Sequence, residues 1–318
     1  MKNSYSNIFS FNKKILKKSI QNLNNSDILG LPTETVYGLG GNAYSKKSIQ
    51  KIYKLKGRPK SNPLIIHYLN LKDASKDVVI NEKLKKLYKN FCPGPITFVL
   101  KKKYGSKINP LASAKLRTIA IRFPKHKIIR SILKKIDFPL AMPSANKSSN
   151  VSPVTAEDVF DEFKQKIKLI INGGKCKIGI ESTVVDLTNA PNILRPGIIS
   201  KTLIEKILNK KIKKKINKKK LRSPGLMKKH YSPGIPVLLN QKKHDGKSAF
   251  IYLGKKHLGK KKFFSLSKNL NLDDAASNLY KLLKLIKKKG YKKIQICKIP
   301  NIGTGIAIND RIQRASKS

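Results

Sequence analysis

The sequence predicts an α/β fold with a mixed sheet, followed across a linker by a second, smaller αβ unit. Three observations carry that expectation. Apolar residues switch repeatedly between helical spacing and short buried-strand runs. Pro and Gly punctuate nearly every change of pattern. An almost pure lysine stretch at 209–220, broken by Ile and Asn, then separates this region from a shorter αβ series. The length of 318 residues suits two domains. The expected divisions are 1–208, a linker at 209–237 and 238–318.

Taken in order, Ile15, Ile20 and Leu23 fall near one helical face and predict an opening helix. Residues 27–31 read as a short strand, after which Pro32 and Gly38, Gly40 and Gly41 break regular structure into a loop. Ile49, Ile52 and Tyr53 predict a helix over 48–56 that stops at Gly57 and Pro59, which leaves Lys56 at its last turn and Arg58 at its exit. A buried-type strand follows at 63–68. Leu84, Leu87, Tyr88 and Phe91 mark the next helix, and 96–100 is a strand entered through Cys-Pro-Gly-Pro. Beyond it come a strand at 118–123, a helix with its apolar stripe at 128, 129, 132, 133 and 136, a helix cap at Thr155, and strands at 169–171 and 183–187. Arg195-Pro-Gly197 ends another strand. Ser-Pro-Gly occurs at 223–225 and again at 232–234. The smaller unit reads as a strand at 248–253, a helix at 275–286, a strand at 293–297 and a helix at 309–315.

The charge is extreme, 70 Lys+Arg against 17 Asp+Glu for a net +53, a field that attracts polyanions at low salt. A dedicated nucleic-acid surface would gather this charge. Instead the lysines spread over nearly every helix, beside plentiful Asn and Ile, as coding drift toward AT-rich codons leaves them. With 39% hydrophobic and 27% charged residues the chain belongs to the globular class. Cys92, Cys176 and Cys297 lie far apart without CxxC spacing, which indicates neither a disulfide framework nor a zinc site. No apolar run reaches bilayer length and the N-terminus lacks a secretory stretch, so the expected location is the cytoplasm, with no membrane partner.

The common nucleotide motifs fail: there is no GxxxxGK[ST], no GxGxxG after a strand and no metal-ligand spacing. Gly-Lys-Ser at 246–248 reads as a turn, and Gly303-Thr-Gly305 as a helix-opening turn that alone is a weak anion site. Other segments place polar groups against the local structural need. Pro32-Thr-Glu-Thr-Val-Tyr-Gly-Leu-Gly40 puts two hydroxyls and a carboxylate in a loop at a strand end. Lys56-Gly-Arg58-Pro59 sets two cations beside a turn, suited to phosphate as point charge and fork. His67 closes an apolar strand, either as a satisfied core residue or as a ligand. Alternation in the strand at 118–123 puts Thr118, Ala120 and Arg122 on one face, an odd place for a guanidinium unless an anion is met there. Pro143-Ser-Ala-Asn146 offers a hydroxyl and an amide, followed by Ser148, Ser149 and Ser152.

In their joint order PTETVYGLG, KGRP with PL and His67 after it, CPGP, IRFP, PSAN, GIESTVVDL, ILRPG and the SPG…HYSP linker decide more than any one does. Through them the chain resembles the YrdC-like threonylcarbamoyl-AMP synthase family in its longer form, from about Lys13 to Ala315, and GTGIAINDRIQRA resembles the close of that family's second domain. The resemblance implies a large YrdC-like domain with a twisted mixed sheet flanked by helices, plus a smaller C-terminal Rossmann-like α/β domain. It implies an enzyme that joins L-threonine, bicarbonate and ATP into L-threonylcarbamoyladenylate and pyrophosphate. That product serves the N6-threonylcarbamoyl modification of the adenosine beside the anticodon in tRNAs reading ANN codons. Carried over by position, Thr35, His67, Arg122 and Ser182 surround the threonine, Met142 lends backbone contacts, and Arg122 meets the carboxylate. ATP is held by Arg58, Asn62, Thr118, Ser144, Ser152 and Arg195, with Tyr231 reaching in from the linker as it folds over. Lys56 with Arg58, and Ser144 with Asn146, correspond to the family's KxR and SxN pairs and form the catalytic set. Magnesium comes with ATP and no protein-bound metal is implied. The implied partner is the machinery that passes the threonylcarbamoyl group to tRNA, with RNA contact through the basic surface.

The residues agree with that chemistry, because a triphosphate, a carboxylate and a carbamate in one cleft require cations and donors more than a nucleophile. His67 is the one group in these segments titrating near neutrality, and substrate binding is its role ahead of general base. Two other readings compete. A basic module holding double-stranded RNA or tRNA without chemistry is favoured by net charge, but needs no small polar pocket and lacks an aromatic-rich RNA motif. Carbamoyl transfer of the hydrogenase-maturation type would bring zinc-finger and acylphosphatase-like segments, absent here. The long lysine tract and the short second unit depart from the family pattern. Filter binding at rising salt separates the readings of the charge: lysines spread by drift give an affinity that collapses uniformly with salt and ignores RNA type.

Overall fold

The computed structural model describes residues 5–212 and 230–317. Most of the lysine tract and the first Ser-Pro-Gly lie outside the described residues.

The larger unit comprises β1 (Ile8–Ser10), α1 (Lys13–Asn24), β2 (Leu29–Leu31), β3 (Gly38–Asn42), α2 (Lys46–Lys56), β4 (Ile65–His67), α3 (Leu71–Ala74), α4 (Glu82–Phe91), β5 (Ile96–Lys101), β6 (Thr118–Arg122), α5 (Lys127–Leu133), β7 (Leu140–Ala141), α6 (Ala156–Phe163), β8 (Ile170–Asn172), β9 (Thr183–Asp186), β10 (Asn192–Arg195) and α7 (Lys201–Leu208). Its strands form one mixed sheet in the order β1-β8-β2-β3-β7-β4-β6-β5-β9-β10. The smaller unit has β11 (Val237–Leu238), β12 (Ala249–Tyr252), β13 (Phe263–Ser265), α8 (Leu272–Lys288), β14 (Ile294–Ile296) and α9 (Thr304–Ala315). Its parallel sheet runs β11-β14-β12-β13, the Rossmann-like pattern expected.

The helices begin where side chains satisfy the orphan N–H groups of a first turn. Asn12 accepts from Ile15 N, Ser45 from Ser48 N and Asn81 from Leu84 N, and Thr155 forms a reciprocal capping box with Asp158. α2 ends at Gly57, whose φ of 58° is left-handed and suits a residue without Cβ. α2 buries Ile49, Ile52 and Tyr53 and α4 buries Leu84 and Leu87, whereas Ile20 on α1, Tyr88 and Phe91 on α4 and Ile128 on α5 are half-buried; each fully buried large apolar side chain contributes about 1.5–3 kcal/mol.

The two faces of the central strands differ, and that difference makes the site. Ile119, Ile121 and Phe123 enter the main core. The other face carries a small apolar cluster of Ile65, Val99, Ala120 and Val184. Two residue pairs further along, β4 and β6 in parallel register set His67 opposite Arg122, and antiparallel β5 sets Thr97 opposite Arg122 on its other side. Polar side chains therefore stand on this face at the ends of β4 and β6.

The structure corrects the expected loop over Gly38, Gly40 and Gly41, which lie in β3. These glycines serve close packing: a Cβ at Gly38 would lie 2.4 Å from Met142 Cγ, and one at Gly40 2.7 Å from Leu31 Cδ1. α5 stops at Leu133, so Ile136 lies outside it, and α9 starts at Thr304, well before 309. Gly-Lys-Ser is a turn, in which Asp245 accepts from the Lys247 and Ser248 amides.

The turn after β10 tests this packing. A Cβ at Gly197 would sit 2.4 Å from Thr183 N, a backbone atom that cannot step aside. Gly197→Ala is expected to lower stability by about 1–3 kcal/mol, read as a lower urea midpoint at unchanged slope.

Candidate active site

Five segments converge at the ends of β4 and β6: the loop after β2, the exit of α2, the Pro143–Asn146 loop, the segment before β9 and the end of β10. Together with His230 they enclose a hollow of about 40 Å³ lined by Thr33, Val36, Tyr37, Gly38, Arg58, Ile65, His67, Arg122, Met142, Pro143, Ser144, Glu181, Arg195 and His230. Room on this scale takes a few water molecules.

Each loop is fixed by specific bonds. Thr33 Oγ1 meets Thr35 Oγ1 at 2.9 Å and donates to the Val36 carbonyl at 2.6 Å, while the Ile178 and Gly179 amides donate to the Glu34 and Thr35 carbonyls. Lys56 Nζ donates to the carbonyls of Ser144 (2.6 Å) and Asn146, and its own carbonyl accepts from Ser148 N, so this buried lysine ties the helix exit to the Pro143–Asn146 loop. Arg58 donates to the Asn62 side chain (2.6 Å) and to the carbonyls of Asn62 and Pro63. Arg195 donates through Nε and Nη2 to the Ser182 carbonyl, and Ser182 Oγ meets Thr97 Oγ1 at 2.7 Å.

Cations dominate the electrostatics. Arg122 pairs with Glu34 at 2.8 Å, both buried, while its Nε is buried without an acceptor. Among the described residues Lys56, Arg58 and Arg195 form no ion pair. Burial, and then the neighbouring Arg58, push the Lys56 ammonium well below its ordinary value, and burial with Arg195 nearby draws Arg58 down to about 10. Burial, with Arg122 alongside, lowers His67 to about 3, so the ring is neutral, and Nδ1 lies 3.3 Å from the Ile65 carbonyl. Burial likewise lowers His230 to about 3 against the pull of Glu181. An anion entering this hollow would relieve the mutual repulsion of its positive groups. Among the described residues no group of three or more His, Cys, Asp or Glu is placed to hold a metal ion, and no helix is long and apolar enough to cross a membrane.

The residues expected from the sequence divide into three sets. His67, Arg122, Met142, Arg58, Ser144 and Arg195 line the hollow. Thr35, Asn62, Lys56, Asn146, Ser152 and Ser182 stand behind it: Thr35 bonds Thr33, Asn62 accepts from Arg58, Lys56 holds the carbonyls of Ser144 and Asn146, and Ser152 donates to Glu181. Thr118 sits at the start of β6, two positions before the Ala120–Ile65 pair and four before Arg122. Tyr231 is fully buried beside His230, stacked on Tyr280 at 5.6 Å with Arg311 5.3 Å from its ring. His230, its neighbour, faces the hollow in its place.

Sequence reasoning noted the Glu34 carboxylate in its loop but gave no site role to it, nor to Glu181, Tyr37 or His230. A signal was present, since only 17 acids occur in the chain and two of them, Glu34 and Glu181, each adjoin a chosen hydroxyl residue.

Comparison with known proteins adds independent findings. A Sua5, YciO and YrdC family model described as "Telomere recombination" matches residues 21–197, and a model described as "Threonylcarbamoyl-AMP synthase, C-terminal domain" matches 199–317. The chain is 34% identical over 314 residues to the threonylcarbamoyl-AMP synthase of Pyrococcus abyssi, covering 91% of this chain and 90% of that one. It is 32% identical over 315 residues to the threonylcarbamoyl-AMP synthase of Bacillus subtilis, covering 92% and 90%. The crystal structure of P. abyssi Sua5 complexed with L-threonine superposes with a TM-score of 0.88 at 30% identity, over 98% of this chain and 97% of that one.

The buried carboxylates predict an acid transition. Burial alone would raise Glu34 and Glu181, but Arg122 for the first, and Arg311 and Arg195 for the second, hold both below the ordinary 4.5, Glu181 at about 2. In acid the folded chain thus binds fewer protons than the unfolded one. The stability these groups contribute is fully present above pH 4.5 and is lost as pH falls toward 2. Urea unfolding at about pH 6 and about pH 3.5 is expected to show that loss, and Glu181→Gln to reduce it.

Proposed function

The chain belongs to the threonylcarbamoyl-AMP synthase family, and we propose from that premise how its cleft forms L-threonylcarbamoyladenylate, the activated group for N6-threonylcarbamoyladenosine in tRNA. The observation that carries the reading is the crowding of Arg58, Arg122 and Arg195 around one hollow, with Lys56 behind them and, among the described residues, a carboxylate ion pair on Arg122 alone of these four.

In this reading the threonine carboxylate meets Arg122, whose buried Nε still lacks an acceptor, and His67, Thr35, Ser182 and the Met142 backbone surround the amino acid. His67 is neutral in the folded chain and adds no further positive charge beside Arg122. The threonine amine, as the free base, attacks bicarbonate-derived carbon to give a carbamate, and water leaves. A carbamate oxygen then attacks the α-phosphorus of ATP, the bond to the bridging oxygen breaks, and pyrophosphate departs. Arg58 and Arg195, with Lys56 holding the Ser144–Asn146 loop, stabilise the negative charge that grows on the phosphate oxygens. Asn62, Thr118, Ser144, Ser152 and Tyr231 complete the ATP set. Magnesium enters with ATP as part of the substrate. No covalent enzyme intermediate is required.

The 209–237 linker expected to fold over ATP between units 1–208 and 238–318 lies largely outside the described residues, and its described end sets His230 on the hollow with Tyr231 buried beside it. The product passes to the tRNA threonylcarbamoyl-transfer machinery in the cytoplasm, and the basic surface gives whatever RNA contact accompanies it.

Purified protein with ATP, bicarbonate and threonine is expected to release pyrophosphate, to stop when threonine is omitted, and to give the adenylate mass. Arg122→Ala should raise the KM for threonine on the order of 10–100-fold. Kinetics unchanged by that substitution would remove the assigned carboxylate contact.

A further inference from the structure

The Glu181 carboxylate stands in the wall of the cleft, yet two of the groups that hold it come from the smaller unit. Its Oε1 accepts from Ser152 Oγ at 2.6 Å, and its Oε2 accepts from Tyr280 OH on α8 at 2.8 Å and from Arg311 Nε on α9 at 3.0 Å. Arg311 is fully buried. Its Nη1 also donates to the Pro196 carbonyl at 2.8 Å and to Asp310 at 2.7 Å, and its Nη2 lies 3.4 Å from the Glu181 carbonyl. One side chain thus fastens both segments that carry Ser182 and Arg195.

A carboxylate in a phosphate-binding cavity is a liability unless its charge is met elsewhere. With Arg311 and Tyr280 removed, Glu181 keeps the Ser152 hydroxyl and faces Arg195, whose field it already feels. A buried carboxylate left without its partner turns to another cation, and Arg195, which lines the same hollow as Glu181, belongs to the proposed ATP set. We propose that Arg311 and Tyr280 are positioning residues of the cleft: by engaging Glu181 from the smaller unit they leave Arg195 available to substrate phosphate, so the site is competent only with that unit docked. The packing of the smaller unit is continuous with this contact. Lys284 of α8 pairs with Asp158 at 3.3 Å, Lys175 donates to Asn278 at 2.9 Å, and Gly179 lies directly against the α8 backbone at Ala276 and Ser277.

This inference rests on the cleft being an ATP site, so ATP binding is measured by calorimetry on the full chain, separately from pyrophosphate release. Arg311→Met is expected to weaken ATP binding on the order of 100-fold. Adding Glu181→Gln should recover at least about tenfold of that loss, because the freed carboxylate causes it. A merely structural role predicts the reverse, since the double variant loses further hydrogen bonds and binds no better than Arg311→Met. Tyr280→Phe keeps the ring stacked on Tyr231 and removes one donor. It is expected to raise the Kd and KM for ATP about three- to tenfold with little change in kcat, and it supplies the test where Arg311→Met does not fold. ATP binding unchanged in Tyr280→Phe, or no recovery in the double variant, overturns the proposal. A wild type that binds ATP without threonine-dependent pyrophosphate release overturns the assigned reaction and leaves this inference standing.

Discussion

Like charges gathered in one hollow repel, and much of the surrounding structure answers that repulsion. Lys56, Arg58, Arg122 and Arg195 are all buried. An isolated buried charge is expensive, and four of one sign compound the expense unless fixed dipoles and counter-charges meet them. The chain supplies both. Backbone carbonyls of Ser144 and Asn146 cap Lys56, those of Asn62 and Pro63 cap Arg58, and that of Ser182 caps Arg195. Glu34 stands against Arg122, and Glu181 lies within the field of Arg195. Oriented carbonyls lower the energy of the cations without competing for an incoming anion as a mobile carboxylate would.

The fold makes room for this arrangement by treating the two faces of its central strands unequally. One face meets helices and carries the apolar bulk. The other carries a much smaller apolar cluster, with Ala120 two positions before Arg122 and Gly38 packed against Met142. The small size of Ala120 and Gly38 lets loops from distant parts of the sequence approach the strand ends, where parallel sheets commonly bind ligands.

Much of this was legible in the sequence where a local rule governed. The stripe of α2 and its Gly57 stop placed Lys56 and Arg58 correctly, and alternation in β6 put Arg122 on the face away from the core. The unread parts depended on tertiary partners. Gly38, Gly40 and Gly41 read as breakers, because nothing local announces that Met142 and Leu31 fill the space where their side chains would be. Glu34 and Glu181 took their meaning from Arg122 and Arg311, 88 and 130 residues away. Arg311 stood in the quoted closing segment, but a lone arginine on a helix in so basic a chain carries no signal until its burial is known.

The sheet order also sets a timetable. Neighbours β1 and β8 are some 160 positions apart in the chain, and β9 docks beside β5 only after nearly ninety further residues have followed it. Pairings that close such long loops form slowly. While a ribosome is still extruding the middle of the chain, the arginine of β6 already exists but the wall bearing Ser182 does not. The cation cluster is therefore completed only when the late strand β9 pairs with β5 and brings the Ser182 side of the hollow against β6.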